Sequence, residues 1–387
     1  MLKKGFCLLL ALCLLCAAAH AGAIDIEACR VTPDDIRAVG YGADGGYTAA
    51  LLTPLFPSGA HTPRHVLRYG PDGSLLSDVT LPDVEGSADG AGVNAIYRMP
   101  DGRDALFFFT GEGRRGETLL FFMDEAGRIE PGFALPRGTY AVFPFEGGVA
   151  GLSLEEEAGE RRCHLAVLDW DGRTRFRETR PEFRSAERIA AAAGDGERVF
   201  VDLLCFPNAV AVCADETGIL WTHTFDGQSG EQEVPETLLP DGAGGLYAAS
   251  GDATPPCEGR LYHLNAQGEI AFARGIRCDK GVFVSLLLAD VNGTPTLYGA
   301  QTAHSRGYYR CFALTFDEES GALRTLEGRD FTTPLGYSYY LNLSQDRVFV
   351  GGDERQESDD GASRICILYR VPYDSLAPAD DVNVWLE

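Results

Sequence analysis

The chain has 387 residues, with 46 Gly, 20 Pro, 3 Met, 3 Trp and a formal net charge of −24. An apolar share of 45% is that of a folded globular chain and excludes a disordered one. The acidic balance excludes a nucleic-acid binder, which needs cations to displace phosphate counterions, and the density of Gly and Pro leaves no room for long helices.

In chain order, the first element is a targeting segment. Lys3 and Lys4 precede an apolar stretch from Gly5 to Ala19, followed by small residues around His20. This is the pattern of an export signal, with cleavage after Ala21 or Ala23. Residues 1–23 are therefore read as a signal peptide and 24–387 as one domain, secreted or held in the cell envelope. The stretch is shorter than the roughly 20 residues a membrane-spanning helix needs, so no stable span is expected after cleavage. Cleavage leaves Lys280 as the one lysine beside thirty arginines, and a net charge near −26. Lysine-based covalent chemistry is therefore not expected. Eight cysteines remain: Cys29, Cys163, Cys205, Cys213, Cys257, Cys278, Cys311 and Cys366. An even count in an exported chain favours disulfides, and no CxxC pair suggests zinc or thioredoxin-type redox chemistry.

The rest of the chain is periodic. A first series of tight turns falls at Gly46, Gly102, Gly148, Gly196, Gly245, Gly293 and Gln345-Asp346. A second, acidic-plus-Gly series falls at Gly73, Gly127, Gly172, Gly218, Gly268 and Gly321. Each recurs about every 50 residues, and the two interleave, so one period holds two hairpins and four strands. Segments such as Cys163–Trp170, Val199–Phe206 and Arg260–Asn265 have the β-branched, aromatic and Leu content of strands. Seven such periods fill the mature chain and predict an all-β fold, a seven-bladed β-propeller of four-stranded antiparallel blades. Arg184–Gly194 has a helix-like composition, but its phase matches the innermost strand of the fourth blade. The last blade lacks one strand, which either Val382–Glu387 or Ile24–Val31 could supply.

Units such as Gly244–Arg274 (GGLYAASGDATPPCEGRLYHLNAQGEIAFAR) and Ala209–Gly227 (AVAVCADETGILWTHTFDG) resemble the quinoprotein-like and outer-membrane-assembly-like propeller repeats of exported bacterial proteins. The resemblance covers the mature chain as architecture. The quinoprotein pattern places a Trp four residues after the turn Gly in most blades; here only Asp215–Trp221 (DETGILW) comes near it, with Trp221 three residues after Gly218. No quinone or other cofactor is expected from this departure.

In an antiparallel meander the first-to-second and third-to-fourth strand turns share one end of the blades, and the remaining connections share the other. Connections at the first end are short. Those at the second are long: 54–63, 110–118, 154–161, 251–259, 301–308 and 352–363, with 82–92 and 226–236 between blades. Long, varied loops on a rigid scaffold usually carry binding. The candidate binding residues on this face are His61, Arg114, Arg115, His304, Tyr308, Asp353, Glu354, Asp359 and Asp360. Cys257 and Cys278 lie on it within one blade, where a bridge closing about 22 residues would add roughly 3 kcal/mol. Cys29 and Cys366 would pair if the N-terminal segment closes the last blade; Cys163 and Cys205 are a further pair, while Cys213 and Cys311 read as buried thiols.

No catalytic motif stands out. His65, His164, His223 and His263 fall in strands, where structural roles are expected, leaving His61 and His304 in loops. The acidic run 353–360 lacks the alternating ligands of a calcium loop, so no metal is assigned. The reading is a secreted, non-catalytic, monomeric binding or scaffold propeller for an extracellular protein, peptide or glycan. The alternative is an extracellular propeller hydrolase or lyase using loop carboxylates.

Overall fold

A computed structural model describes residues 27–385 apart from 31–34, 42–45, 53–64, 71–73, 82–83, 85–86, 88–90, 112–115, 158–159, 207, 226–233, 252–257, 279–281, 303–307, 333–336, 344–346, 359–360, 373–376 and 379–383. The described strands form seven antiparallel sheets, hereafter blades I–VII, each a meander in chain order. Blade I covers 35–80, II 92–131, III 139–178, IV 186–225, V 237–278, VI 282–332, and VII 337–372. The first strands of consecutive blades pack against one another, which places them innermost and makes the fold a β-propeller. Apolar clusters fill the spaces between blades: Val199, Val201 and Leu203 of IV face Leu152, Leu165 and Val167 of III, while Phe200, Trp221 and Phe225 of IV meet Leu246, Ala248 and Tyr262 of V. The alternation of strand side chains thus supplies both interfaces of each blade.

The helix-like stretch 184–194 is a strand, as its phase requires. A short 3-10 turn over Pro181–Ser185 seats Phe183 in the core, and the strand Ala186–Gly194 follows as the innermost of blade IV. Small residues there leave room for the crowded centre.

The first and last described strands lie at the outer rim. The strand Glu27–Arg30 pairs with Gly361–Pro372 and completes blade VII, so the N-terminal segment supplies the missing strand. The C-terminal segment runs back around the rim instead: Ala377–Pro378 adds a fifth strand to blade VI, and Val384–Trp385 adds one to blade V.

Two expected loops are hairpin extensions. Gly148–Glu157 and Glu160–Leu168 stay paired to Glu157 opposite Glu160. Arg347–Ser358 and Gly361–Pro372 stay paired to Ser358 opposite Gly361. The acidic run is therefore largely strand. Pairing satisfies backbone groups that a loop would leave to solvent.

The short-turn end is closed by polar bonds. Asp124, Asp169 and Asn265 each use Oδ1 to accept two backbone N–H bonds within their own turn, the Asx-turn chemistry that makes these residues good turn formers. The turn glycine also receives the neighbouring blade. Gly268 has φ +78°, and a Cβ there would sit 2.7 Å from the Trp221 ring of blade IV; Gly321 is covered in the same way by Phe272 of blade V. Between blades I and II, Asp104 accepts from Thr48 Oγ1 at 2.7 Å and from Arg98 Nε at 2.5 Å, with Arg68 Nη1 at 3.4 Å. Asp104 is wholly buried, and the Arg68 and Arg98 side chains are 4% and 7% exposed. Two buried guanidiniums on one carboxylate are tolerable only while that carboxylate is present.

Candidate binding face and axial mouth

At the opposite end the strands behave differently. Six of the seven innermost strands carry a β-bulge near their starts, leaving Arg37, Asn94, Tyr140, Glu187, Val284 and Tyr339 as the extra residues. A bulge bends its strand and re-aims a side chain. Because these strands are innermost, the bulges lie near the axis at its long-connection end, here termed the axial mouth. The Tyr140 hydroxyl donates to the Ala186 carbonyl at 2.8 Å and so ties the bulge of blade III to that of blade IV. Thr237 Oγ1 accepts the Leu288 amide at 2.9 Å and ties blade V to blade VI.

At this end three polar side chains are open to solvent and make no hydrogen bond or ion pair among the described residues: Asn94 of blade II, Arg188 of blade IV and Glu236 at the start of blade V. The Glu236 amide bonds the Ala249 carbonyl at 2.9 Å, extending the innermost strand by one residue. Arg188 pairs in register with Leu204, next to the end of its neighbouring strand. Both therefore sit at the mouth on adjacent innermost strands. The Glu236 carboxyl is held above the usual carboxylate range by desolvation, and the Arg188 charge opposes that shift.

Beyond the mouth, the face is sculpted by hairpins. In blade III, Glu155 pairs with Arg177 of the outer strand, and His164 Nδ1 lies 2.5 Å from Thr179 Oγ1. In blade IV the second and third strands are paired up to Cys205 opposite Asn208, and at this tip Phe206 is 64% exposed. An exposed Phe beside a paired hairpin is a rigid apolar knob.

The sequence-derived residues are distributed unevenly. Asp353 stands opposite Cys366, Glu354 opposite Ile365, and Tyr308 opposite Thr332, so these three are strand positions rather than loop positions. His61, Arg114, Arg115, His304, Asp359, Asp360 and Cys257 lie outside the described residues. Cys278 ends the outer strand of blade V. Cys29 and Cys366 lie on paired strands but are not register partners, Cys29 standing opposite Leu368. Cys163, Cys205 and Cys213 are buried thiols, so the further Cys163–Cys205 pairing gives way to core packing. Burial pushes the Cys213 thiol up to about 12, which keeps it protonated and unreactive. The strand histidines are tied as expected: His223 Nδ1 lies 3.0 Å from the Gly268 carbonyl, and His263 Nε2 lies 2.9 Å from Asp241 Oδ2.

Asn94, Arg188 and Glu236 were not legible as a set. Their common place near the starts of innermost strands follows from register across strands. Among the described residues no group of three or more His, Cys, Asp or Glu side chains could hold a metal ion, and no helix is long and apolar enough to cross a membrane.

No family model matches the sequence, and no curated protein matches it. A solved prolyl endopeptidase structure aligns over 92% of this chain and 50% of its own, with 11% identity and a TM-score of 0.50. The likeness is one of fold. The chain thus spans half of that enzyme. Saccharomyces cerevisiae Sqt1 aligns over 89% of this chain and 97% of its own, with 10% identity and a TM-score of 0.47. The polysaccharide lyase Uly1 aligns over 87% and 89%, with 9% identity and a TM-score of 0.49.

Proposed function

We propose that the chain is an exported binding propeller, of the repeat type seen in exported bacterial proteins, that recognises an extracellular protein, peptide or glycan through its long-connection face. The supporting observation is the contrast between the two ends of the blades. At the short-turn end, turn aspartates cap their own turns and Asp104 ties blades I and II; at the other, paired hairpins project, Phe206 is exposed, and Asn94, Arg188 and Glu236 are exposed with no side-chain hydrogen bond or ion pair among the described residues. Export rests on the n-region, apolar stretch and small-residue sites of residues 1–23. The test is capture by the immobilised mature chain, residues 24–387, from extracellular and envelope fractions. Phe206→Ser and Asp359→Lys/Asp360→Lys should reduce capture of a specific partner. Unchanged capture by both variants contradicts the reading.

A second reading has one observation in its favour. Glu187 and Glu236 begin adjacent innermost strands at the mouth, and Glu236 holds its proton more tightly than an ordinary carboxylate. Such a pair could serve a hydrolase or lyase as acid and base. Turnover of an extracellular polymer that is abolished by Glu236→Gln would establish that reading, and capture without turnover would retain the first.

A further inference from the structure

We infer that the root of the blade III hairpin is a pH-sensitive latch, in which a proton on His164 clamps Glu155 and stiffens the hairpin that projects from the long-connection face. The latch goes beyond the binding reading. Because it consists of blade III's own bonds, its failure would leave that reading untouched.

Alternation and register place these groups. On the strand Glu160–Leu168, Cys163 and Leu165 point into the core shared with blade IV. His164 therefore points the other way, toward blade II, as Ala166 and Leu168 do. It stands opposite Ser153, which puts Glu155 on its diagonal, within reach of a long side chain. His164 Nδ1 lies 2.5 Å from Thr179 Oγ1, just past the outer strand, and Nε2 lies 3.6 Å from Glu155 Oε2. That gap is too long for a hydrogen bond. Nε2 is buried with no hydrogen-bond partner among the described residues, as is Ser153 Oγ across the register. Glu155 Oε1 is already held by Arg177 of the outer strand. One carboxylate oxygen is thus fixed, and the other faces a ring nitrogen that binds nothing.

A neutral imidazole has one N–H to offer, whichever nitrogen carries it. A protonated one has two: Nδ1–H donates to Thr179 Oγ1, and Nε2–H reaches Glu155 Oε2 after a small side-chain rotation, as a charge-assisted bond. Glu155 then receives Arg177 on one oxygen and His164 on the other, which ties the second, third and outer strands together. Deprotonation removes the second hold. Other charged groups surround the root. Arg162 stands opposite Glu155 in register, and Glu156 alternates to the opposite face. Glu178 and Arg180, on either side of Thr179, pair at 3.2 Å. Toward blade II, Glu117 and Arg137 pair at 3.9 Å. Glu182 and Arg184 belong to the 3-10 turn on the strand's other face, where Phe183 packs with Cys163 and Leu165.

The experiment is hydrogen exchange on the mature chain, residues 24–387, at about pH 8 and about pH 5.5, with rates corrected for the intrinsic pH dependence of exchange. Imidazole changes charge over this range while ordinary carboxylates stay ionised. Amides of 155–157 and 160–163 should be about tenfold better protected at the lower pH, the scale of one charged hydrogen bond. The blade VII hairpin, 353–358 with 361–366, contains no histidine and should show no change. His164→Gln and Glu155→Gln should each remove the rise in blade III, with thermal unfolding at the higher pH showing that they are folded. If His164→Gln does not fold, Glu155→Gln, altered at a partly exposed side chain, carries the test. A rise that persists in either folded variant overturns the latch. So does a rise that blade VII shares equally, or equal protection of the parent's blade III hairpin at the two pH values.

Discussion

The two ends of the blades are built from the same strands but spend their polar groups differently. At the short-turn end, Asp104 binds Thr48, Arg68 and Arg98, Glu178 reaches across to the Ile219 amide at 2.9 Å, and aspartates cap their own turns. Those groups have little left to offer a ligand. At the axial mouth most innermost strands bulge, and Arg188 and Glu236 face water with no side-chain hydrogen bond or ion pair among the described residues. The difference teaches that one end holds the blades together while the other is available, and that both follow from where hydrogen bonds are already made.

The strongest way to break this comparison is at Asp104. Asp104→Ala removes the buried carboxylate that both guanidiniums share and should cost about 3–5 kcal/mol in urea unfolding. A loss below 1 kcal/mol, roughly the value of an exposed pair, would mean the network is not a lock. Next comes Gly268→Ala, where the positive φ and the Trp221 ring act together; about 1–3 kcal/mol should be lost. An unchanged melting temperature would show that the turn can yield without disturbing blade IV.

A second buried carboxylate sharpens the contrast. Asp202 of blade IV is wholly buried, and neither of its oxygens has a partner. It stands in register between Ala191 and Ala211, and desolvation holds its carboxyl well above the usual range. Folded-state proton affinity exceeds that of the unfolded chain, so the folded state binds more protons over the interval between the two pKa values. Stability from this group is therefore fully present below the ordinary carboxylate pKa and declines as pH rises toward the folded value. Asp202→Asn should flatten that decline, making the variant more resistant to urea than the parent at neutral pH relative to pH 4. Parallel curves for the two proteins would show that Asp202 ionises without cost. The smallest expected effect is at the open face: Phe206→Ser should change stability by no more than about 0.5 kcal/mol, and a larger loss would reassign the knob to the scaffold.

Much of the scaffold was legible because it repeats. Turn glycines at fixed spacing marked the hairpins, and Gly127, Gly172, Gly218, Gly268 and Gly321 all have positive φ. The phase also identified Ala186–Gly194 as a strand despite its alanines, since a local preference for helix yields to pairing on both sides. Two features resisted. Hairpin extensions in blades III and VII look like loops because charged residues such as Glu155 and Arg162 satisfy their backbone by pairing across the ribbon. The mouth resisted further, since Asn94, Arg188 and Glu236 are far apart in sequence and share only their place near the starts of innermost strands. The substitute for a tryptophan ring was equally hidden: Trp221 and Phe272 fill corresponding places over the next blade's turn glycine, a role set by contact rather than by a fixed motif.

The most direct test of the division between the ends is hydrogen exchange on the mature chain, with and without a partner that the immobilised chain captures. Added protection is expected at the mouth, in the amides of 92–95, 186–189 and 236–238, with none in the turns at 101–103, 124–128 and 169–173. Protection that instead accumulates in those turns, leaving the mouth unchanged, would contradict the account.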